Sequence, residues 1–255
     1  MKPQRILYIL LPLILVTSFG IVLKNRKLTD KITQKTVDLE QTVVNNINTI
    51  APQPTQILET GLPDSHLINT TFVPQAPEKN WDQPWQDACE EAALLTLHYY
   101  YTRQTPSISQ MVTDIQAAVS YEITKGWGHS INMAKLAQVA TDLYNLTPEI
   151  ITNPTLDQIK TYLSQDIPVI VPANGKTLYQ ENKHFKDGGP WYHNLTIVGY
   201  DDNRQQFITH DVGTQFGAYY RYSYKLFLSS IHDLPDSENI KDINQGSPKV
   251  LILLQ

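Results

Sequence analysis

The chain has 255 residues, of which 41% are hydrophobic and 18% are charged, and its formal net charge is -5. This length suits one substantial domain with accessory segments, and the composition is that of an ordinary globular protein. An acidic chain without a basic cluster in its body lacks the positive surface that phosphate binding requires, which argues against nucleic acid as a partner.

An uncharged apolar run, Ile6–Leu23, lies near the start of the chain. As a helix rising about 1.5 Å per residue it would span roughly 27 Å, close to the thickness of a bilayer's hydrocarbon core. No small-x-small cleavage site follows the run, so an uncleaved membrane anchor within residues 1–27 is favoured over a signal peptide. Basic residues flank both ends of the run, which leaves its orientation in the membrane open.

Residues 28–66 are predicted to form a helical stalk and a linker. Apolar residues recur three and four positions apart over residues 28–50, the spacing of an amphipathic helix. Such a helix could mediate self-association as a short coiled coil, or it could pack on its own domain. Prolines and a glycine then interrupt any regular element. The folded domain is therefore predicted over residues 67–255.

Within that domain, helical patterns precede strand patterns. Helices are predicted over 89–101, 108–119 and 133–143. Later segments have strand-like lengths between turn residues, namely 168–171, 194–200, 206–210, 218–222 and 249–254, with one further helix over 226–231. Helices followed by strands indicate a segregated α+β domain rather than an alternating βαβ fold.

Cys89 is the chain's single cysteine, so no intrachain disulfide can form. Asp87 is a suitable N-cap and Glu90 completes a capping box, which would place Cys89 in the first turn of a helix. The free backbone N–H groups there favour the thiolate over the thiol. A lone cysteine more often fills core space, so position alone leaves a structural and a nucleophilic role open.

Several segments share one resemblance. They are VPQAP at 73–77, NWD at 80–82, ACEEA at 88–92, YHNLTIVGYD at 192–201 and FITHDVGT at 207–214. Together they resemble the C39-like group of papain-fold cysteine peptidases over roughly residues 70–232. The last segment departs from the usual Asn-Asp-Pro-Gly-Thr of this group, since His210 and Val212 flank Asp211. The resemblance implies a papain-like fold, with helices followed by an antiparallel sheet, and a peptide or protein substrate.

By this resemblance Cys89 is the nucleophile and His193 is its base. His193 stands where a Gly-rich loop enters a predicted strand, an edge that can aim a side chain rigidly at a cleft. Surface, packing or cleft-rim positions suit five other histidines, namely His66, His98, His129, His184 and His232.

Asp211 follows the next predicted strand, and a hairpin would bring it near His193. A carboxylate there can accept the second imidazole N–H, fix the tautomer and stabilise the imidazolium. Asp211 could instead cap the turn before Gly213. We favour the orienting role, because triad chemistry requires a third group.

The resemblance also implies a glutamine that donates its amide to the oxyanion. Gln75 is the best match to the family's position. Gln83 has the six-residue spacing seen in papain-type enzymes and Gln86 lies closer still to Cys89; each of the three could also be a surface amide.

The predicted activity is acyl transfer to Cys89 followed by hydrolysis of the thioester, with no cofactor. No P-loop motif accompanies the domain, so leader processing of the transporter-fused kind is not specifically indicated. We expect a tethered peptidase, outside the cytoplasm, acting on exported or envelope proteins.

Two alternatives are a transglutaminase-like thiol acyl transferase and a catalytically silent papain-like module that binds peptides at the cell surface. A metal site is not expected, since the adjacent carboxylates of Asp201 and Asp202 lack a further clustered ligand.

Overall fold

The computed structural model describes residues 61–255 and the isolated position Lys35. In residues 61–255, strands pair into one sheet in the order β2-β7-β3-β4-β5-β6, with β1 beside β4. Every pairing is antiparallel. The strands are Ser65–Leu67 (β1), Thr147–Thr152 (β2), Val169–Ala173 (β3), His193–Asp201 (β4), Gln206–His210 (β5), Tyr220–Ser223 (β6) and Lys249–Leu254 (β7).

Three helices lie between β1 and β2, and three more lie between later strands. They are Cys89–Thr102 (α1), Ile108–Thr124 (α2), Met133–Tyr144 (α3), Leu156–Ser164 (α4), Gly175–Leu178 (α5) and Tyr224–Ser230 (α6), with 3-10 turns at Trp85–Asp87 and Ile240–Gln245. The predicted α+β domain with an antiparallel sheet is therefore confirmed, but its helices and strands are less segregated than predicted, since α4, α5 and α6 lie between strands.

Helices cover both faces of the sheet, so its central strands are buried on both sides. In β3, Ile170 packs with α1 and α3, whereas its neighbours Val169 and Val171 pack with α4 and α6 on the opposite face. β4 is buried along its whole length. A strand buried on both faces reads in sequence as a nearly continuous apolar run. That pattern is what made β3 and β4 predictable.

Helix α1 is the best-buried helix next to the site. From Cys89 to Leu97 every residue is buried. Its Ala-Ala-Leu-Leu segment combines strong helix formers with small side chains that permit close packing. Thr196 of β4 donates from Oγ1 to the carbonyl of Ala93 at 3.3 Å, which links the helix to the central strand. The helix start is thus fixed against the sheet by packing.

The elements that were not predicted include β2 and α4. β2 is an edge strand with no fully buried residue, so its hydrophobic signal is weak. α4 begins with a capping box in which Thr155 and Gln158 exchange hydrogen bonds. The Thr-x-x-Gln pattern for that box is visible in the sequence.

The predicted capping box of α1 is wrong. Asp87 lies in the 3-10 turn before the helix, and its Oδ2 accepts a hydrogen bond from Gln83 at 2.6 Å. The N-cap position belongs to Ala88, which has no capping side chain. Glu90 is fully buried instead of reaching back to the cap. The 3-10 turn shifts the helix start by one residue and turns Glu90 inward.

The predicted anchor and nearly all of the predicted stalk and linker lie outside the described residues. Residues Ser65 and His66, which the sequence pattern assigned to the linker, pair with β4 as part of β1. His66 bonds to Asp166 at 2.8 Å at the surface. In the part of the chain that the structure describes, no helix is both long and apolar enough to cross a membrane.

Candidate active site

Three elements meet at one end of the sheet and form a cleft of about 510 Å³. They are the start of α1, the start of β4 and the turn after β5. Because β4 and β5 are antiparallel, with Thr196 opposite His210, the residues after β5 run beside the beginning of β4. The cleft lining includes Gln75, Gln86, Cys89, His184, His193 and Phe216. The fold therefore brings the predicted nucleophile and base to the same cavity.

His193 and Asp211 form a buried pair. Nε2 of His193 lies 2.9 Å from Oδ1 of Asp211, and both side chains are almost fully shielded from solvent. A carboxylate can only accept, so Nε2 carries the hydrogen of this bond. The other ring nitrogen, Nδ1, is then the basic one. The orienting contact predicted for Asp211 is present in the structure.

Asp211 is held by further donors that the sequence pattern did not reveal. Its Oδ2 accepts from Nδ2 of Asn182 at 2.9 Å and from the hydroxyl of Tyr222. Its Oδ1 also accepts from the backbone N–H of Gly213 at 3.2 Å. Burial acts to raise the pKa of Asp211, but the His193 charge and the hydrogen bonds from His193, Tyr222 and Asn182 lower it overall. The carboxylate is therefore ionised and immobilised beneath the imidazole.

Gly213 allows the turn after β5 to pass against the imidazole. A Cβ at this position would lie 2.7 Å from Cε1 of His193 and 2.9 Å from Cε1 of Phe185. Phe185 itself meets the His193 ring edge-on at a centroid distance of 5.3 Å. The ring is thus confined on two sides. Any side chain at position 213 would displace it.

The thiol of Cys89 has two polar neighbours, neither of which is the imidazole. Sγ lies 2.9 Å from Oε2 of Glu90, and it accepts from the backbone N–H of Asn194 at 3.3 Å. Burial raises the pKa of the Cys89 thiol well above its ordinary value; Glu90 raises it further, and the Asn194 N–H lowers it. Burial and Glu90 therefore oppose the effect of the helix start, which was expected to favour the thiolate.

The three candidate glutamines take different positions. Gln75 is buried in the cleft wall, and its Nε2 donates to the carbonyls of Trp85 and Gln86 at 3.0 and 2.9 Å. These two bonds use both amide hydrogens. Gln83 is exposed, bonded to Asp87 and absent from the lining. Gln86 also lines the cleft, and its side chain has no hydrogen bond to any residue in 61–255.

The remaining histidines do not approach Cys89 with a carboxylate behind them. His184 lines the cleft but stacks on Phe216 at 4.6 Å. His210 is buried at the end of β5, where burial lowers its pKa to about 4 and its Nε2 faces the carbonyl of Thr70.

Among residues 61–255, no cluster of three or more histidine, cysteine or acidic side chains could hold a metal ion.

The fold and the cleft define an α+β protein with a helix-start cysteine in a cavity that is also lined by the histidine of a buried histidine–aspartate pair. The model of the Peptidase_C39 like family matches residues 68–233, and the chain belongs to that family. Membership supports a peptidase with a protein or peptide substrate. No curated protein matches the chain.

Among solved structures, the chain is similar to a crystal structure described as a C39-like peptidase from Bacillus anthracis. The two are 14% identical, with a TM-score of 0.44, over 74% of this chain and 98% of that one.

Proposed function

We propose that the protein is a cysteine peptidase that hydrolyses peptide bonds through Cys89, His193 and Asp211. The observation that carries this proposal is the buried His193–Asp211 pair, 2.9 Å apart, because its imidazole lines the same cleft as the chain's single cysteine. A cysteine that only fills core space would have no need of an oriented imidazole in a shared cavity.

Acylation begins with transfer of the thiol proton from Cys89 to Nδ1 of His193. Asp211 holds Nε2–H and stabilises the imidazolium that forms. The sulfur then attacks the substrate carbonyl carbon, and the C–S bond forms as the carbonyl π electrons move to oxygen. His193 returns the proton to the leaving amine as the C–N bond breaks. The product is a thioester on Cys89.

The tetrahedral intermediate needs donors for its oxyanion. As the first residue of α1, Cys89 has a backbone N–H with no acceptor within the helix, and it is one such donor. A cleft glutamine is the second donor: either Gln75, after it releases one backbone carbonyl, or Gln86.

In deacylation, His193 removes a proton from water and the resulting hydroxide attacks the thioester. Cys89 then leaves with a proton from His193.

The test is hydrolysis of fluorescently labelled casein by the wild-type protein and by Cys89→Ala. We expect fragments from the wild type and none above background from the variant, with new termini identified by mass spectrometry. Addition of a primary amine separates hydrolysis from acyl transfer to the amine. Covalent labelling of Cys89 by iodoacetamide, compared between wild type and His193→Ala, tests activation without assuming a substrate. A Cys89 that reacts no faster than a free thiol in both proteins would refute the proposal.

We also propose that the apolar run Ile6–Leu23 anchors the protein in a membrane, with the peptidase domain outside the cytoplasm and acting on exported or envelope proteins. The basis is the sequence pattern alone. Carbonate extraction of membranes tests it: the full chain should stay in the pellet, and a chain lacking residues 1–27 should be released. Release of both proteins would contradict the anchor.

A further inference from the structure

Three buried carboxyl groups lie behind the nucleophile, and the proposed mechanism does not use them. Glu90 and Glu91 follow Cys89 on α1, and Glu122 projects from the end of α2. Their relative exposures are 0%, 2% and 3%. None of the ion pairs formed within residues 61–255 includes any of the three. The cluster is therefore buried without a compensating cation in contact.

Burial without a cation determines the charge of such a cluster. Removing even one carboxylate from water is costly unless it is paired, and a carboxyl group in that situation takes up a proton instead. One oxygen on each of Glu91 and Glu122 is buried with no hydrogen-bond partner. Three ionised carboxylates with such unpaired oxygens would cost too much desolvation free energy to be stable together. The cluster must therefore hold protons at neutral pH.

Glu90 is the member that contacts the sulfur. Its Oε1 accepts the backbone N–H of Ile131 at 3.1 Å, and its Oε2 lies 2.9 Å from Sγ of Cys89. The second contact has two chemical forms: the thiol donates to a carboxylate, or a carboxylic acid donates to sulfur. With Oε1 already accepting, a proton on Glu90 belongs on Oε2, the oxygen that faces the sulfur.

We propose that Glu90 is a positioning residue of the nucleophile, a protonated carboxylic acid that donates a hydrogen bond from Oε2 to the Cys89 sulfur and so stabilises its thiolate. Together with the Asn194 N–H, this makes two donors to the sulfur, one from its own helix and one from β4. The thiol's own hydrogen is left free to pass to Nδ1 of His193. The proposal rests on the proposed function and adds to it a pH limit.

Other groups act on the same site. Cys89 and Glu91 share α1 with Glu90, Glu122 faces it from α2, and Tyr192 faces it from the loop before β4. Lys135 acts on Glu122, the charge of Glu122 acts on Tyr144, and Asp233 acts on Tyr192. Burial raises the pKa of Glu90 to about 8, Cys89 lowers it, and the charge of Glu122 raises it. Above that pH the ionised Glu90 would repel the thiolate.

The test uses the presence of a single cysteine, because alkylation by iodoacetamide reports on Cys89 alone. Second-order rate constants for the full chain are measured from pH 5 to 9 by mass spectrometry. We expect the wild-type rate to fall at alkaline pH with an apparent pKa of about 8. In Glu90→Gln the amide N–H still donates but cannot ionise, so the rate at pH 7 should change less than about twofold and the alkaline fall should disappear.

Further variants separate the alternatives. Glu90→Leu removes the donor and should lower the rate at pH 7 about tenfold, the worth of one charge-assisted hydrogen bond. Glu122→Gln removes a charge that raises the pKa of Glu90, so the alkaline fall should move to lower pH. Glu149→Gln, on the exposed edge strand β2, is the matched control and should resemble the wild type. Thermal unfolding of each variant confirms folding.

Two results would overturn the inference. If Glu90→Gln has the wild-type pH profile, Glu90 does not titrate against the thiolate. If Glu90→Gln speeds alkylation about tenfold at pH 7, Glu90 is ionised and restrains the thiol instead. Failure of the proposed function is recognised separately, since Cys89 reactivity would then be unchanged in His193→Ala. If Cys89 reactivity falls in His193→Ala while Glu90→Gln keeps the wild-type pH profile, the proposed function stands and this inference alone fails.

Discussion

On the sheet side of the cleft, the buried carboxylate of Asp211 accepts from four donors, namely His193, Gly213, Asn182 and Tyr222. On the helical side, Glu91 and Glu122 are buried to a similar degree, yet each leaves an oxygen without a partner. The first arrangement stabilises a charge, and the second one favours a proton. The site therefore contains two kinds of buried carboxyl group, an ionised one on the sheet side and protonated ones on the helical side.

Substitutions on the sheet side of the cleft should reduce the hydrolysis rate most. We expect His193→Ala to reduce the rate of casein hydrolysis about 10³-fold or more, because it removes the base that accepts the thiol proton. His66→Ala is the matched control, since that imidazole bonds to Asp166 at the surface. Hydrolysis rates of the two purified variants check the prediction. Equal rates would mean that the buried pair is structural.

The contrast also explains what could be predicted from sequence. Cys89, His193 and Asp211 each lie inside a contiguous family-like segment, so local residues identified them. Asn182 and Tyr222 reach Asp211 from 29 and 11 residues away, and both lie outside the family-like segments. No local rule links such positions, because only the tertiary fold brings them together.

Glu90 shows the opposite failure. Asp-x-x-Glu at a helix start is the pattern of a capping box, and here it accompanies a carboxyl group buried against sulfur. The capping pattern depends on local spacing, whereas the buried position of Glu90 includes a hydrogen bond from Ile131, which lies 41 residues along the chain. Most helices and strands were thus accessible from periodicity, and the candidate site residues were proposed from the family resemblance. The charge state of the helical side required the packing.

Alanine variants of Gln75 and Gln86 test which of these two side chains donates to the oxyanion. Removing one such donor typically lowers turnover about 10²–10³-fold. Both amide hydrogens of Gln75 bond to backbone carbonyls, whereas the side chain of Gln86 has no hydrogen bond within residues 61–255. We expect Gln86→Ala to lower kcat by this amount with little change in the unfolding midpoint. Gln75→Ala should also destabilise the protein, because two buried carbonyls lose their donor.

Steady-state kinetics and thermal unfolding of both variants check this distinction. Gln83→Ala serves as the control, since that side chain is exposed and absent from the cleft lining. A loss of kcat in Gln75→Ala alone, with an unchanged midpoint, would assign the oxyanion contact to Gln75.

Gly213→Ala tests how narrowly the sheet side holds the imidazole. The new Cβ would lie 2.7 Å from Cε1 of His193, so the ring must shift. A misplacement on this scale can lower turnover about 10²-fold without removing any catalytic group. Gly128→Ala, where nothing lies within 4 Å of an added Cβ, is the matched control. Hydrolysis rates decide the matter, and wild-type turnover in Gly213→Ala would mean that the turn yields instead of the ring.

The smallest expected effect lies on the helical side and concerns stability. Burial raises the pKa of Glu122 from its ordinary value of 4.5 to about 7, while Glu91 and Lys135 lower it. The folded protein therefore binds more protons than the unfolded chain between these values. The contribution of the Glu122 carboxyl group to the free energy of unfolding is fully present below about pH 4.5 and is lost as the pH rises through 7. Glu122→Gln cannot ionise and should remove this part of the pH dependence.

Urea unfolding of the wild type and of Glu122→Gln at pH 5 and pH 8 measures the effect. The wild type should lose up to about 3 kcal/mol more than the variant between the two pH values, as a pKa shift of this size implies. Glu149→Gln, altered at an exposed carboxyl, should follow the wild type. If Glu122→Gln keeps the full wild-type dependence, Glu122 is ionised at pH 5 as well as at pH 8. The two sides of the cleft would then hold carboxylates of the same kind, and the contrast between them would fail.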